Sequence, residues 1–359
     1  MKNNKTKHLK ILIIICLILM TITVCFFVAH LYIDSMLNNV NTEEKIDQSE
    51  LEINVSENIE NKNAHKVLNI MVLGNDNTSK GGRTSSYVEN RSDALKVVSL
   101  DYTDKEIKVI SFDRDVVVYL PGDKREYGHF NWAYSYGGSK LAVQTLNYNL
   151  DLDIKNYVTF SFAGFINVID ILGGIDVELT QKEADAFNNL TRSNAVMRIK
   201  AVEGINHLDG YDALAYARQR YVDSDFKRMD RQNIVIKEIL SKMKDSSVID
   251  LLKIVEECLP YISTNLTTSE IKDILTDIIS FNLKDIDTYT YPKNKSKDVC
   301  RNLDSLGGYL VRDYSQQVVD LHKFIYEIDD YKPTKTVLDV EDNIYSKFGE
   351  FYEDSPLIP

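Results

Sequence analysis

Hydrophobic and polar positions fall along this chain in blocks, and each block predicts one element. The first is Ile11 to Ala29, an uncharged apolar run long enough to cross a bilayer as a helix rising about 1.5 Å per residue. Residues 11–33 are therefore expected to form a single transmembrane helix. Lys2, Lys5, Lys7 and Lys10 precede the run, while Asp34, Glu43 and Glu44 follow it. The positive-inside bias then puts residues 1–10 in the cytoplasm and the remaining chain outside the membrane. The run is longer than a signal-peptide core and no small-x-small cleavage site follows it, so a retained anchor is favoured over a cleaved leader. Residues 34–65 are rich in Asn, Glu and Asp without apolar periodicity, and read as a solvated extracytoplasmic linker.

The pattern then changes to short runs rich in Val and Ile. Val67 to Leu73, Ala94 to Leu100 and Ile107 to Phe112 read as central strands buried on both faces, the last two joined as a hairpin by the turn Asp101 to Asp104. Leu141 to Leu150 has helical spacing after Gly137-Gly138. Tyr157 to Phe160 reads as a strand, Phe162 to Leu172 as a helix stopped by Gly173-Gly174, and Ile175 to Leu179 as a strand. Asp209 suits the N-cap of a helix running through Ala217, with Asp212 in its first turn. Ile234, Ile236, Ile239, Leu240 and Met243 mark a longer amphipathic helix. Helices over Val248 to Leu259 and Thr268 to Ser280, a strand over Ile286 to Tyr291 and a helix over Ser315 to Ile328 complete the pattern. Strands alternating with helices imply an α/β fold, a three-layer α/β/α domain with a mixed central sheet over residues 66–330. Pro333 and the acidic residues after Tyr331 mark 331–359 as a loose acidic tail.

Composition narrows the function classes. The chain has 359 residues, 44% hydrophobic, which is ample for a core. A net charge of −12 leaves no basic face for nucleic acid, so any anion site must be local. A Gly-rich dinucleotide loop, a Walker lysine and a nucleophile elbow are all missing, and the six histidines are not spaced as metal ligands. Cys16 and Cys25 lie in the membrane run, leaving Cys258 and Cys300 either to bridge or to stay as buried thiols.

The chemistry that remains is a set of charged residues at strand ends and one arginine run. Arg218 to Arg231 holds four arginines in fourteen residues, in a chain that elsewhere uses mainly lysine. Planar, multi-donor guanidinium groups match phosphate and carboxylate oxygens. Arg218 and Arg220, two apart, point to one side if extended, and Arg228, Arg231 and Gln232 share one face of a helix's first turn, where the dipole also favours anions. Asp76 follows the first strand and Asp93 precedes the second. If those strands are antiparallel, the two carboxylates meet, a natural site for magnesium or manganese. Arg114, between Asp113 and Asp115 after the third strand, is a further anion ligand, and Asn131 could position a substrate. The plainer alternatives are arginines paired with Asp223, Asp225 and Asp230, turn roles for Asp76 and Asp93, a surface ion pair at Arg114, and a loop cap at Asn131. Four guanidinium groups and a divalent cation exceed what a single phosphate needs and suit a diphosphate.

On these residues the chain resembles the LytR-CpsA-Psr family. The ordered motifs are Asn69 to Asp76, Arg91-Ser-Asp93, Ser111 to Asp115, Asn131 to Tyr134 with Gly137-Gly138, Asp170 to Asp176, Leu208 to Arg220 and Asp225 to Gln232. The resemblance implies a membrane-anchored phosphotransferase. Such an enzyme moves an anionic glycan, such as teichoic acid or capsule polysaccharide, from an undecaprenyl-diphosphate carrier to peptidoglycan. It further implies magnesium at Asp76 and Asp93, and diphosphate-binding or supporting roles for Arg91, Arg114, Arg218, Arg220, Arg228, Arg231 and Gln232. Asp225 would organise the arginines or assist the acceptor hydroxyl. The chain departs from the family pattern at Asp113, usually Pro, at Trp132, often His, and in a longer loop between Asp76 and Arg91 carrying Lys80 and Arg83. Two other functions stay open: a polyprenyl-diphosphate hydrolase, and a membrane-tethered regulator without catalysis, although ten residues before the anchor cannot hold a DNA-binding domain.

Overall fold

The computed structural model of the chain describes residues 35–37, 40–54, 66–75, 92–122, 126–189, 197–219, 225–245, 248–278, 281, 286–293, 300–303 and 308–349. Two compact units divide it, Met1–Val40 and Asn41–Pro359. In the first, a single helical turn at 35–37 is described, its end marked by the Val40 N–H donating to the Leu37 carbonyl at 3.1 Å. The expected span Ile11 to Ala29 lies outside the described residues, and among those described no helix is long and apolar enough to cross a membrane.

The second unit begins with β1 (Asn41–Thr42), followed by the consecutive antiparallel strands β2 (Val67–Asn75), β3 (Ser92–Asp101) and β4 (Glu106–Phe112). A hairpin of β5 (Val117–Leu120) and β6 (Glu126–His129) leads into α1 (Phe130–Leu150). Next come β7 (Asn156–Ser161), α2 (Phe162–Ile171), β8 (Ile175–Leu179), α3 (Gln181–Asn188), β9 (Gly204–Leu208) and α4 (Gly210–Arg218). The long helix α5 (Asp225–Asp245) precedes α6 (Val248–Cys258), β10 (Ile262–Thr264), α7 (Thr268–Ile278) and β11 (Ile286–Tyr291). The last elements are the hairpin β12 (Cys300–Leu303) and β13 (Gly308–Val311), then α8 (Tyr314–Tyr326) and α9 (Lys335–Phe348).

Seven strands form one mixed sheet in the order β1-β10-β7-β2-β3-β4-β11. The pairs β7/β2 and β4/β11 are parallel, whereas β3 is antiparallel to both of its neighbours. Side chains alternate across the sheet, as the pleat requires. Met71, Leu73, Leu95, Val97, Ile110 and Phe112 enter a core shared with Leu146 of α1, Val318 of α8 and Val340 of α9. Ile70, Leu100 and Ile107 point the other way, where Ile274 and Ile278 of α7 pack. Helices therefore cover both faces, and the expected three-layer α/β domain with a mixed sheet is observed. A separate cluster built on Ile169, Val177, Leu208, Tyr216 and Val235 joins α2, the β8/β9 hairpin, α4 and α5. Burying each such Leu, Ile or Val contributes about 1.5–3 kcal/mol relative to exposure.

Several expectations change. The described part of the expected tail, up to residue 349, is not loose, because α9 occupies Lys335–Phe348 and buries Val337, Val340 and Ile344 in the main core, while 350–359 lie outside the described residues. Its acidic residues Asp339 and Asp342 lie on the exposed side, so composition concealed a helical apolar stripe. Asp151 anchors the entry to this helix by accepting hydrogen bonds from the Tyr331 hydroxyl and from the Thr334 N–H and hydroxyl. The helix expected after Gly137-Gly138 is present, and a further helical stretch from Phe130, absent from the sequence pattern, precedes it. Gly138 has φ 63° and ψ −155°, a conformation open to glycine, which joins two helical stretches across a kink. Cys258 and Cys300 are both buried free thiols and do not bridge, and burial pushes the Cys258 thiol up to about 12. The β5/β6 and β12/β13 hairpins, β10 and α3 have no counterpart in the sequence reading. They are short, and runs such as Glu126-Tyr-Gly-His129 show no clean alternation.

Candidate functional site

The carboxyl end of β2 and the amino end of β3 share one edge of the sheet. Their antiparallel register runs from Val67↔Asp101 to Gly74↔Ala94 and then, after an irregularity, to Asn75↔Ser92. Asp93 belongs to β3, but its side chain, like Asp76 and Arg91, lies outside the described residues. The antiparallel pairing on which the two-carboxylate idea depended is present.

One strand over, β4 ends at Phe112 and the chain turns through Asp113-Arg114-Asp115. The Asp113 carboxylate accepts the Asp115 N–H at 3.1 Å, an Asx turn built by the side chain itself. This gives Asp113 a structural reason where the family pattern has proline. Arg114 is buried, and its Nε sits 3.4 Å from Asp115 Oδ2. The Asn131 N–H, in the first turn of α1, donates to the Arg114 carbonyl at 3.2 Å, so that helix start is docked on the turn. The Asn131 side chain is buried as well, and its Oδ1 finds no hydrogen-bond partner among the described residues. Trp132 packs on the His129 ring at 4.7 Å, and His129 Nδ1 lies 4.0 Å from Asp115 Oδ1, which backs the same turn with aromatic surface.

The arginine run supplies the opposite wall. Asp209 caps α4 by accepting the Asp212 N–H, and the helix continues through Arg218. Gly210 permits close packing here, because a Cβ would collide with the Ile166 carbonyl of α2. Arg218 is thus the last helical residue, not part of an extended segment. Its guanidinium stacks over Phe162 at 4.4 Å. Arg220 lies outside the described residues, and with it the expected placing of Arg218 and Arg220 on one side. Asp225 opens α5, its side chain also undescribed. Arg228 and Arg231 are buried and Gln232 half-buried on the inward face of α5, as their spacing predicts. Arg231 Nη2 donates to the Gln219 carbonyl at 2.7 Å, at the end of α4.

Arg114 from the strand end and Arg228 and Gln232 from the helix meet across a small cleft open to solvent. Leu95, Lys96, Ser111 and Phe112 complete its lining, and none of these described lining residues is acidic. Lys96 and Ser111 are direct cross-strand partners on β3 and β4. The Lys96 Nζ donates to Ser111 Oγ at 2.6 Å and to Asn233 Oδ1 of α5 at 3.0 Å, while Ser111 Oγ donates to Asn233 Oδ1 at 3.1 Å. Burial pushes the Lys96 ammonium down to about 7. Sequence reasoning missed this lysine, although a charged residue inside a strand read as buried on both faces was a usable signal. Chemically, the cleft offers forked and point-like donors to anionic oxygens in partly desolvated surroundings.

The predicted residues therefore divide. Arg114, Arg228 and Gln232 come together, Asn131 and Arg231 stand behind them, and Arg218 faces the apolar helix α2.

The polyisoprenyl-teichoic acid–peptidoglycan teichoic acid transferase TagV of Bacillus subtilis is 35% identical over 227 residues, which is 62% of this chain and 56% of TagV. The chain thus spans little more than half the length of that relative. The regulatory protein MsrR of Staphylococcus aureus is 30% identical over 268 residues, covering 72% of this chain and 74% of MsrR. The crystal structure of B. subtilis TagV superposes with a TM-score of 0.57 at 32% identity, over 75% of this chain and 99% of that one. The model of the LytR_cpsA_psr family matches residues 29–319, and the chain belongs to the LytR-CpsA-Psr family.

Proposed function

We propose that this protein is a membrane-anchored, extracytoplasmic phosphotransferase. It moves an anionic glycan polymer from an undecaprenyl-diphosphate carrier to peptidoglycan. Support comes chiefly from the convergence of Arg114, Arg228 and Gln232 on one cleft, in a chain related to a transferase whose name states teichoic acid and peptidoglycan. The anchor is the apolar run Ile11 to Ala29. An amphiphilic carrier needs an apolar surface beside the cations. Helix α2 offers half-buried Phe162, Phe165, Ile166 and Val168, with Arg218 stacked on Phe162.

In the reaction, an acceptor hydroxyl attacks the phosphorus next to the sugar. A new P–O bond forms, the bond to the bridging oxygen breaks, and polyprenyl phosphate leaves, the hydroxyl proton passing to solvent or to the departing phosphate. Arg114 and Arg228 orient the diphosphate and stabilise the charge that develops on the leaving phosphate, so catalysis is mainly positioning and electrostatics. Asp76 and Asp93 would hold magnesium or manganese. The β2/β3 register brings the neighbouring backbone to one edge, and a donor set of carboxylates alone suits a hard cation. Such an ion, when bound, neutralises phosphate oxygens. Arg91 and Arg220 would add to the cation set, and Asp225 would organise it.

The test is transfer of a labelled lipid-linked glycan to peptidoglycan by the full-length protein. Arg114→Ala and Arg228→Ala should each lower the rate roughly 10²-fold, the scale for removing one preorganised donor. Unchanged transfer in both variants would overturn the proposal. Release of polyprenyl phosphate that does not require acceptor would instead identify a hydrolase. The name of MsrR also keeps a regulatory role in view, and the absence of any turnover by a protein that still binds the carrier would favour it.

A further inference from the structure

We infer that Lys96 is a substrate-binding residue of this cleft, its ammonium receiving a phosphoryl oxygen of a diphosphate held by Arg114 and Arg228. The inference rests on the phosphotransferase reading and adds to it a residue that lies outside the arginine motifs.

Position is the first reason. Lys96 lines the same cleft as Arg114, Arg228 and Gln232, beneath the inward face of α5. The second reason is the chemical oddity of a lysine there. Its side chain is 6% exposed within the apolar run Ala94 to Leu100, where a methionine of similar length would fill the space without desolvating a charge. Both hydrogen-bond partners, Ser111 Oγ and Asn233 Oδ1, are neutral. A purely structural role explains little, because Ser111 bonds Asn233 directly at 3.1 Å and joins β4 to α5 without the lysine. A protonated Nζ also has three N–H groups, so two such bonds leave one donor for a ligand.

The surroundings state what that ligand must be. Across β2, Val72 and Gly74 are uncharged neighbours. Among the described residues, the charged groups that border the cleft from the end of β4 and from α5 are Arg114 and Arg228, and the adjoining Gln232 and Asn233 are neutral. Burial lowers the lysine to about 7, so the amine exchanges its proton near neutrality. A multiply charged phosphate reverses that bias. Binding then converts the amine to an ammonium with one proton taken from solvent, and affinity gains as pH falls towards 7.

The experiment is calorimetric titration of the full-length protein with farnesyl diphosphate at constant magnesium. It is run at pH 6.5, 7.5 and 8.5, each in two buffers of different ionisation enthalpy, with thermal melts alongside. Wild type should take up protons above pH 7 beyond those attributable to the probe's own titration. Lys96→Met should bind about tenfold or more weakly at pH 6.5 and lose that uptake, a charge-assisted hydrogen bond being removed. Lys96→Arg, a permanent cation, should retain affinity without uptake. Wild-type affinity and proton uptake in Lys96→Met would overturn the inference, and if Arg228→Ala still abolished binding, the phosphotransferase reading would survive that result. Should Lys96→Met fail to fold, absence of extra proton uptake in wild type would decide equally against the lysine. A wild type that does not bind the probe at all would overturn both.

Discussion

Arg231 donates its Nη2 to the main-chain carbonyl of Gln219 at 2.7 Å, and both residues are buried. Helix ends accumulate unsatisfied carbonyls, and a cation at a carboxyl terminus meets the dipole favourably. This bond ties the start of α5 to the end of α4, and with it Arg228 to the helix that carries Arg218. Arg231 thus positions the arginine wall. Arg231→Ala should cost about 1.5–3 kcal/mol, the range for a hydrogen bond from a charged donor, read from urea unfolding. Transfer should fall with it. An unchanged unfolding midpoint would remove this role.

Lys96 also makes a prediction about stability. Its folded-state value of about 7 lies below the ordinary 10.5. Between those limits the unfolded chain binds a proton that the folded one does not, so unfolding takes up a proton and stability rises with pH. Below pH 7 both states are protonated and the full penalty of burial is present. Urea unfolding from pH 7 to 9.5 should therefore show a steeper rise for wild type than for Lys96→Met, by up to about 1.4 kcal/mol per pH unit. At pH 6.5 the variant should be the more stable protein. Parallel curves would mean that the lysine is not titrating in this window.

Helix α9 is part of the core and not an appendage. Ending the chain at residue 334 would expose the surface now covered by Val337, Val340 and Ile344, each worth about 1.5–3 kcal/mol. The truncated protein is expected to melt far below the full chain and to yield to protease across the β4–α8 region. The milder Thr334→Ala, which removes one bond to Asp151, should cost about 1 kcal/mol. A truncation with an unaltered melt would contradict the packing described.

Phe162 links the cationic wall to the apolar helix. Phe162→Leu keeps apolar volume but removes the ring beneath Arg218, with an expected loss of about 0.5–1 kcal/mol in stability. KM for a lipid-linked donor should rise more than kcat falls, because the change acts on donor placement. Steady-state kinetics that show only a fall in kcat would argue against this link.

Sequence by itself determined the elements whose signals are local. The Val/Ile runs of β2, β3 and β4, the Asp209 cap of α4 and the inward face of α5 at Arg228, Arg231 and Gln232 all appear where pattern and capping chemistry put them. Each depends on residues within a turn or two, so a linear pattern suffices. The α/β class follows from their alternation.

Only the tertiary structure decided which residues meet. The β2/β3/β4 register set Lys96 opposite Ser111, and the docking of α5 brought Asn233 onto that pair and Arg228 to the same cleft as Arg114. Those partners are separated by up to 137 residues. Tertiary packing also placed Arg218 on Phe162 and drew α9 into the core despite its acidic composition. Such contacts are fixed by long-range burial and register, which local periodicity does not encode.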